Sequence, residues 1–257
     1  MQLIVTTAGR PDDVTTAYAQ YAANALAVRF VVRKKRSVAR LQREYGCAVL
    51  VAGKARYEYF ALGATEPLFF HPNTAAFRVK RLARGETETL LEATKITPGD
   101  TVLDCTLGLG ADALVMQFAG AHVTGLEANA AIAFVVREGM QHYDYQDAPL
   151  LACMRDIKVV ASEALAYLRT QPNKCFDVVY LDPMFDGLIA ESTNFSALRE
   201  AGEHTSLTQD WVDEAKRVAR KRVVLKAHFR SPYFEQFGFI PHIRETSKFH
   251  FGEIVVY

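Results

Sequence analysis

Acidic residues stand where short apolar segments of the sequence end, and one of them is followed by a glycine loop. The run 101–103 ends in Asp104, and Gly108 and Gly110 come before the apolar, helix-compatible segment 113–118. Because glycine has no Cβ atom, the backbone of such a loop can close onto a ligand, and the helix that follows offers free N–H groups. The order strand, glycine loop, helix therefore predicts a site for a nucleotide-like ligand.

The charge at Asp104 helps to identify that ligand. The two glycines and Ala113 also fit the G-x-G-x-x-G/A pattern of dinucleotide sites, which by itself also fits an ordinary turn between a strand and a helix. A fixed negative charge does not help to bind a pyrophosphate, whereas it attracts a ligand that carries an amino group and a sulfonium. Glu127 ends the next predicted strand, 122–126, where a carboxylate can accept hydrogen bonds from both ribose hydroxyls. These acids favour S-adenosylmethionine over a nicotinamide cofactor.

A third acid, Asp182, ends the apolar run 178–181 and precedes Pro183 and Phe185. A buried central strand would deliver this carboxylate to the edge of the sheet where open α/β sheets bind ligands. Transfer of a methyl group to the exocyclic amine of a base needs acceptors that orient the amine and a ring that stacks on the base. We therefore predict catalytic roles for Asp182, Pro183 and Phe185, with a structural Asp-Pro turn as the alternative.

Ser162 and Glu163 follow a third short predicted strand, 158–161. In a fold of this kind, the loop after that strand can reach the amino group or a ring nitrogen of adenine. Ser162 can equally be the N-cap of a helix over 164–168. The two interpretations are compatible.

The elements that must position these residues alternate between strands and helices, which predicts an α/β fold with a doubly wound, Rossmann-like sheet. Residues 1–66 form a small basic α/β domain, and prolines near residue 70 mark a connector to a second domain, 67–257. In that domain we expect one helix from about 75 to 96 and a turn at 97–100 before the strand that ends at Asp104. The rest of the chain is long enough for a seven-stranded sheet that ends in an antiparallel hairpin.

Composition limits the class of protein. The chain has 257 residues, half of them apolar, with four scattered cysteines. It contains no apolar run long enough to predict a membrane span, and its first residues do not resemble a signal peptide. The cysteine spacing predicts neither a zinc site nor a disulfide framework. We therefore expect a cytoplasmic protein that binds no metal; the sequence does not indicate its oligomeric state.

Basic residues are unevenly distributed, although the net charge is only +1. Nine bases between residues 29 and 56 face a single acid, Glu44, and a second basic group follows near residue 80. Such clusters are typical of a phosphate-binding surface, although a charged run can also be a solvated helix face. The predicted nucleic-acid-binding residues are Arg33, Lys34, Lys35, Arg36, Arg78, Arg81 and Arg84.

Two segments resemble a known family. VLDCTLGLGADA (102–113) and VYLDPMF (179–185) resemble the signature segments of the RsmJ-type methyltransferases, and 84–86, 222–226 and, more weakly, 48–72 are also similar to it. The resemblance implies a class I methyltransferase sheet, S-adenosylmethionine as cofactor, and methylation of the guanine 2-amino group in small-subunit ribosomal RNA. By position, it implies cofactor contacts at Ala111, Asp112, Glu127, Ala128, Ser162, Glu163 and Asp182.

The sequence departs from that family at three places. Ala111 replaces an arginine, Glu163 replaces a second serine, and the acidic stretch DGLIAE (186–191) replaces basic residues. Because the rim of the predicted site is less basic than in that family, a methyltransferase that acts on another nucleic acid, a protein or a small molecule is an alternative. A nicotinamide-dependent oxidoreductase would leave Asp104 and Asp182 without a role. A non-catalytic RNA-binding module would need only the basic residues.

Overall fold

A computed structural model describes residues 2–144, 147–183, 206–245 and 247–257. These residues form two compact units: the first takes 2–71 and 129–144, and the second takes the remainder. The predicted domain boundary at residue 66 stays a proposal, because the two units are groups of residues that pack together and the first also includes the separate segment 129–144.

The strands and helices are numbered along the part of the chain that the structure describes. The strands are β1 (Leu3–Thr7), β2 (Arg29–Phe30), β3 (Ala48–Ala52), β4 (Tyr57–Phe60), β5 (Thr101–Asp104), β6 (His122–Glu127), β7 (Lys158–Ala161), β8 (Phe176–Leu181), β9 (Ala219–His228), β10 (Ile240–His242) and β11 (Phe249–Val255). The helices are α1 (Asp13–Ala25), α2 (Val38–Tyr45), α3 (Asn73–Leu82), α4 (Thr89–Thr94), α5 (Ala111–Phe118), α6 (Ala130–His142), α7 (Ala148–Asp156), α8 (Ala164–Thr170), α9 (Gln209–Val218) and α10 (Tyr233–Phe237).

The first unit contains a four-stranded sheet in the order β2-β1-β3-β4, in which only β4 is antiparallel to its neighbour. The runs LIVTT and AVLVA of β1 and β3 are buried at every position, as continuous apolar strands in parallel sheets are. Asp12 caps α1 through a capping box, and Gly46 ends α2 in the left-handed conformation. Helix α6 also belongs to this unit, where its Phe134 contacts the edge of Tyr57.

The second unit contains a seven-stranded sheet in the order β10-β11-β9-β8-β5-β6-β7. Five strands, β5 to β9, are parallel, while β11 is antiparallel to both β9 and β10. The chain moves outward from β5 through β6 and β7, then returns to the other side of β5 with β8. This reversal between β5 and β8 is a topological switch point, where the carboxyl ends of the strands leave a crevice for a ligand.

Several elements differ from the prediction. The helix expected over 75–96 is two helices, α3 and α4, because Gly85 adopts a left-handed conformation (φ +80°) and Glu88 starts a new helix as its N-cap. Strand β9 spans ten residues instead of three. The edge strand β10 and the short helices α7 and α10 were not predicted; Pro241 inside β10 weakens the strand pattern and is tolerated there because the strand lies at an edge.

All four cysteines are free thiols, of which Cys47 and Cys105 are buried. None of the helices described is both long and apolar enough to cross a membrane.

Candidate active site at the carboxyl edge of the sheet

The glycine loop connects the end of β5 to the start of α5. Gly108 and Gly110 have φ angles of +50° and +76°, in the left-handed region that residues with a Cβ atom rarely adopt. The amide of Gly110 donates to the Leu107 carbonyl oxygen (2.7 Å), which closes the loop, and Gly110 is the N-cap of α5. Both predicted glycines are therefore needed for the shape of this loop.

A third glycine, Gly125 on β6, lets the loop lie against the sheet. A Cβ atom at this position would stand 2.5 Å from Cδ1 of Leu107, too close for any real contact. The amide of Leu107 also donates to the carbonyl oxygen of Leu126 at 2.9 Å. The loop is thus fixed to the neighbouring strand as well as to β5.

The ends of β6 and β7 meet beside the loop. The amide of Ser162 donates to the carbonyl oxygen of Glu127 at 3.0 Å, which joins the two strand tips. Glu127 and Ala128 are half-buried, and Ala111 is the first residue of α5. The N-cap of α8 is Glu163 and not Ser162: its carboxylate accepts from the amides of Leu165 (2.9 Å) and Ala166 (2.6 Å).

Asp112, in the first turn of α5, is at the centre of a buried ion-pair network. Its carboxylate accepts hydrogen bonds from the Tyr180 hydroxyl (2.7 Å), the Lys226 ammonium (2.9 Å) and the guanidinium of Arg78. Arg78 also forms a two-point ion pair with Glu88. The Asp112 side chain is only 10% exposed, so these groups of the protein itself satisfy it.

Asp182 meets the network at the end of β8. Leu181 pairs with Leu225 of β9, so the next residues on the two strands, Asp182 and Lys226, come together at the sheet edge. The Lys226 ammonium lies 2.7 Å from Oδ2 of Asp182, and the Asp182 amide donates to the Thr106 hydroxyl at 2.7 Å. Thr106 in turn donates its amide to Oδ1 of Asp104 at 3.0 Å. The acids that end β5 and β8 are therefore connected through one threonine.

The three aspartates titrate differently. Burial raises the pKa of Asp104 to about 7, and the charges of Asp112 and Asp182 add to the rise. Despite burial, Lys226 and Arg78 hold the pKa of Asp112 well below its usual range. Burial raises the pKa of Asp182, an effect that Lys226 opposes and Asp112 strengthens. Asp104 accepts its hydrogen bonds from Thr106, which is neutral. A cationic ligand would therefore favour the ionised form of Asp104.

These residues fit S-adenosylmethionine. A loop shaped by two left-handed glycines allows close approach of a ligand, and a buried carboxyl with a raised pKa suits a cationic amine or sulfonium. Asp104 would hold the charged amino acid part and Glu127 the ribose. The Glu163 carboxylate is already used as a helix cap, so Ser162 is the better candidate of that pair for adenine.

The structure separates the predicted RNA-binding residues into different groups. Arg78 lies inside the network with its side chain 17% exposed, which corrects its assignment to a phosphate-binding surface. Arg33 and Arg36 hold their own loop through backbone carbonyl oxygens, whereas Lys34 and Lys35 are exposed. Arg81 and Arg84 lie at or near the surface, Arg81 in an ion pair with Glu86. Of the predicted catalytic residues, Phe185 lies outside the described residues, as does the stretch 186–191, while Pro183 follows Asp182 in the loop after β8.

Lys226, Tyr180 and Glu88 were not predicted from the residues as part of the site. A signal for Lys226 was present: a lysine inside the apolar run VVLKAH must be buried with a partner or point out of the sheet. Its partners lie 44 and 114 residues away in sequence, so local patterns could not identify them.

Comparisons with known proteins place this geometry in a family. Residues 67–250 match the family model described as putative SAM-dependent methyltransferase. A Bacillus subtilis protein named Uncharacterized protein YpiP is 39% identical over 254 residues, which cover 98% of each chain.

Proteins named ribosomal RNA small subunit methyltransferase J are similar over a shorter part. The protein from Yersinia enterocolitica is 31% identical over 194 residues, which cover 70% of this chain and 72% of that protein. The protein from Edwardsiella ictaluri is 34% identical over 169 residues, which cover 61% and 64%.

Among solved structures, a SAM-dependent methyltransferase from Neisseria gonorrhoeae matches with a TM-score of 0.66 and 20% identity over 99% of this chain and 96% of that one. At this identity, the likeness shows the fold alone, and it confirms the predicted Rossmann-like methyltransferase sheet.

Proposed function

The chain belongs to the RsmJ-type class I S-adenosylmethionine-dependent methyltransferases, and from this premise we propose that it methylates an exocyclic amine of ribosomal RNA, the 2-amino group of a guanine in the small subunit. One observation carries the proposal. Asp182 directly follows β8, beside the glycine loop after β5, with its side chain 31% exposed while the rest of its ion network is more deeply buried. An acceptor is thus available at the switch point where substrate and cofactor must meet.

When bound, S-adenosylmethionine supplies an electrophilic methyl group on its sulfonium. The chain's own residues supply position: Asp104 and Glu127 hold the cofactor, and the Asp182 carboxylate accepts a hydrogen bond from the substrate amine. This contact aims a nitrogen lone pair that is otherwise delocalised into the base ring. The methylated amine must lose a proton, which the Asp182 carboxylate or adjacent water would accept.

RNA as the substrate class is supported by the names of the relatives and by exposed groups on α3 and just after it. Phe77 is 65% exposed on α3 and lies four residues, about one helical turn, before Arg81, while Arg84 is exposed in the turn after the helix. An exposed aromatic ring beside basic side chains is typical of a protein surface on which nucleobases stack. Lys34 and Lys35 of the first unit add positive charge. Action on ribosomal RNA would place the protein in the cytoplasm.

The test is single-turnover methyl transfer from labelled S-adenosylmethionine to bacterial small-subunit RNA, followed by mass mapping of the methylated base. Asp182→Ala should lower the rate at saturating cofactor by roughly 10²-fold or more, with the fold retained. Asp156→Ala, which removes an exposed carboxylate at the end of α7, is the matched control and should react at the wild-type rate.

The outcome separates the candidate functions. An Asp182→Ala protein that transfers methyl at the wild-type rate contradicts the amine-positioning role. Transfer to DNA, protein or a small molecule, with small-subunit and total RNA unmodified, would overturn the RNA proposal while leaving the enzyme class in place.

A further inference from the structure

Lys226 is a charged residue that follows the apolar run 223–225 of β9 and lies near the carboxyl end of that strand. Its side chain is 25% exposed, and the ammonium bridges Asp182 (2.7 Å) and Asp112 (2.9 Å). Burial of an ammonium is costly unless it is paired. The cation therefore depends on these two carboxylates, and they depend on it.

The two carboxylates do not need Lys226 equally. Asp112 also accepts hydrogen bonds from Arg78 and Tyr180, so it keeps charged and polar partners if Lys226 is removed. Among the residues that the structure describes, Lys226 is the one cation that forms an ion pair with Asp182. Removal of the ammonium should thus affect Asp182 far more than Asp112.

Building on the proposed function, we propose that Lys226 is a positioning residue: it keeps the Asp182 carboxylate ionised and holds Oδ2, so that Oδ1 is presented to the substrate amine. Lys226 itself touches neither methyl donor nor amine in this proposal. It acts through Asp182, and through Asp112 it ties that carboxylate to the helix that begins at the cofactor loop.

The charged surroundings of Asp182 predict the direction of the effect. The groups that face it are Lys226 on β9, Tyr180 on β8, Asp104 at the end of β5, Asp112 on α5 and Arg78 on α3. Without Lys226, the carboxylates outweigh the remaining cation, Arg78, so protonation of Asp182 becomes easier. Because the ionised form is the hydrogen-bond acceptor, the acid limb of the methyl-transfer rate should move to higher pH.

The experiment measures single-turnover methyl transfer to small-subunit RNA against pH for wild type, Lys226→Met and Lys226→Arg. At neutral pH, Lys226→Met should react about 10²-fold more slowly, and its acid limb should lie about one unit or more above that of wild type. Lys226→Arg keeps the cation, so its acid limb should stay near the wild-type position even if its rate falls. The rates are measured at saturating S-adenosylmethionine, because Lys226 also lowers the pKa of Asp104 and its loss can weaken cofactor binding.

Lys221→Met is the matched control. Lys221 lies on the same strand and pairs with Asp100 at 2.6 Å, away from the carboxyl ends of the parallel strands. It should leave both the rate and the acid limb unchanged. If Lys226→Met fails to fold, Lys226→Gln compared with Lys226→Arg gives the same test of charge.

The outcomes are distinct. A uniform loss of rate in Lys226→Met with an unmoved acid limb would make Lys226 merely structural and overturn the inference. If the wild-type protein transfers no methyl to any RNA, the proposed function fails instead, whatever the Lys226 variants do.

Discussion

At the scale of single residues, Asp104 links cofactor binding to pH. Its pKa of about 7 in the free protein means that its charge is gained across the neutral range. We expect S-adenosylmethionine affinity to rise roughly tenfold between pH 6 and 8, because the ionised carboxylate binds the cationic ligand. Titration calorimetry across this range checks the prediction. Asp104→Asn should lose most of the rise; the cofactor's own amino group titrates equally in both proteins, so their difference reports Asp104.

The same carboxyl group should make the free protein less stable as pH rises. A carboxyl whose pKa is raised on folding takes up a proton, so its cost to folding grows from near its ordinary pKa of 3.8 up to about 7 and then stays constant. Asp104→Asn should therefore melt at a higher temperature than wild type at pH 8, with the difference shrinking towards pH 4. If wild type and Asp104→Asn melted at the same temperature at pH 8 as well as at pH 4, the proposed cost of burying the Asp104 charge would be contradicted.

At the scale of secondary-structure elements, α3 connects the site to a surface. Arg78 points into the ion network while the neighbouring residue Phe77 is exposed. Phe77→Ala should weaken RNA binding by about 1–3 kcal/mol through lost stacking, with cofactor affinity unchanged. Fluorescence anisotropy with a labelled RNA measures the change. Tyr257, an aromatic residue that is 98% exposed at the C-terminus, provides the control, since Tyr257→Ala should have no effect on RNA binding.

The elements also explain how much the sequence could predict. Acids at the ends of apolar runs become neighbours in any parallel sheet, so Asp104, Glu127 and Asp182 could be assigned to one edge before the structure was known. The ion network could not, because Arg78 and Lys226 reach Asp112 from 34 and 114 residues away in sequence. The sequence pattern places Arg78 on a helix but does not show which face of that helix is buried. Arg78 was therefore predicted to lie with the basic residues of the surface. The break between α3 and α4 depends on the backbone conformation of Gly85 and a cap at Glu88.

At the scale of the whole molecule, the basic residues of the first unit should govern the salt dependence of RNA binding. Lys34 and Lys35 are exposed and have φ angles of +46° and +60°. Asparagine tolerates this conformation, so Lys34→Asn with Lys35→Asn should remove two charges without unfolding the loop. The slope of log K against log salt should flatten by roughly 1.5, since fewer counterions are released on binding.

Neutralisation of two other exposed lysines, Lys158→Gln with Lys216→Gln, controls for net charge. If both double variants flatten the slope equally, long-range charge and not this loop governs the salt dependence. Filter-binding measurements at several salt concentrations distinguish the two results.

The pairing of β5 with β8 also determines when the site can form during synthesis. The hydrogen bond from Asp182 to Thr106 spans 76 residues of sequence, and the segment between them forms β6 and β7 on the other side of β5. The glycine loop, Glu127 and Ser162 therefore leave the ribosome before β8 exists, and β5 keeps an unpaired edge until β8 is added. Nascent chains that end between β7 and β8 should aggregate more readily than chains that include β8, because the unpaired edge of β5 can form hydrogen bonds with a strand of another chain.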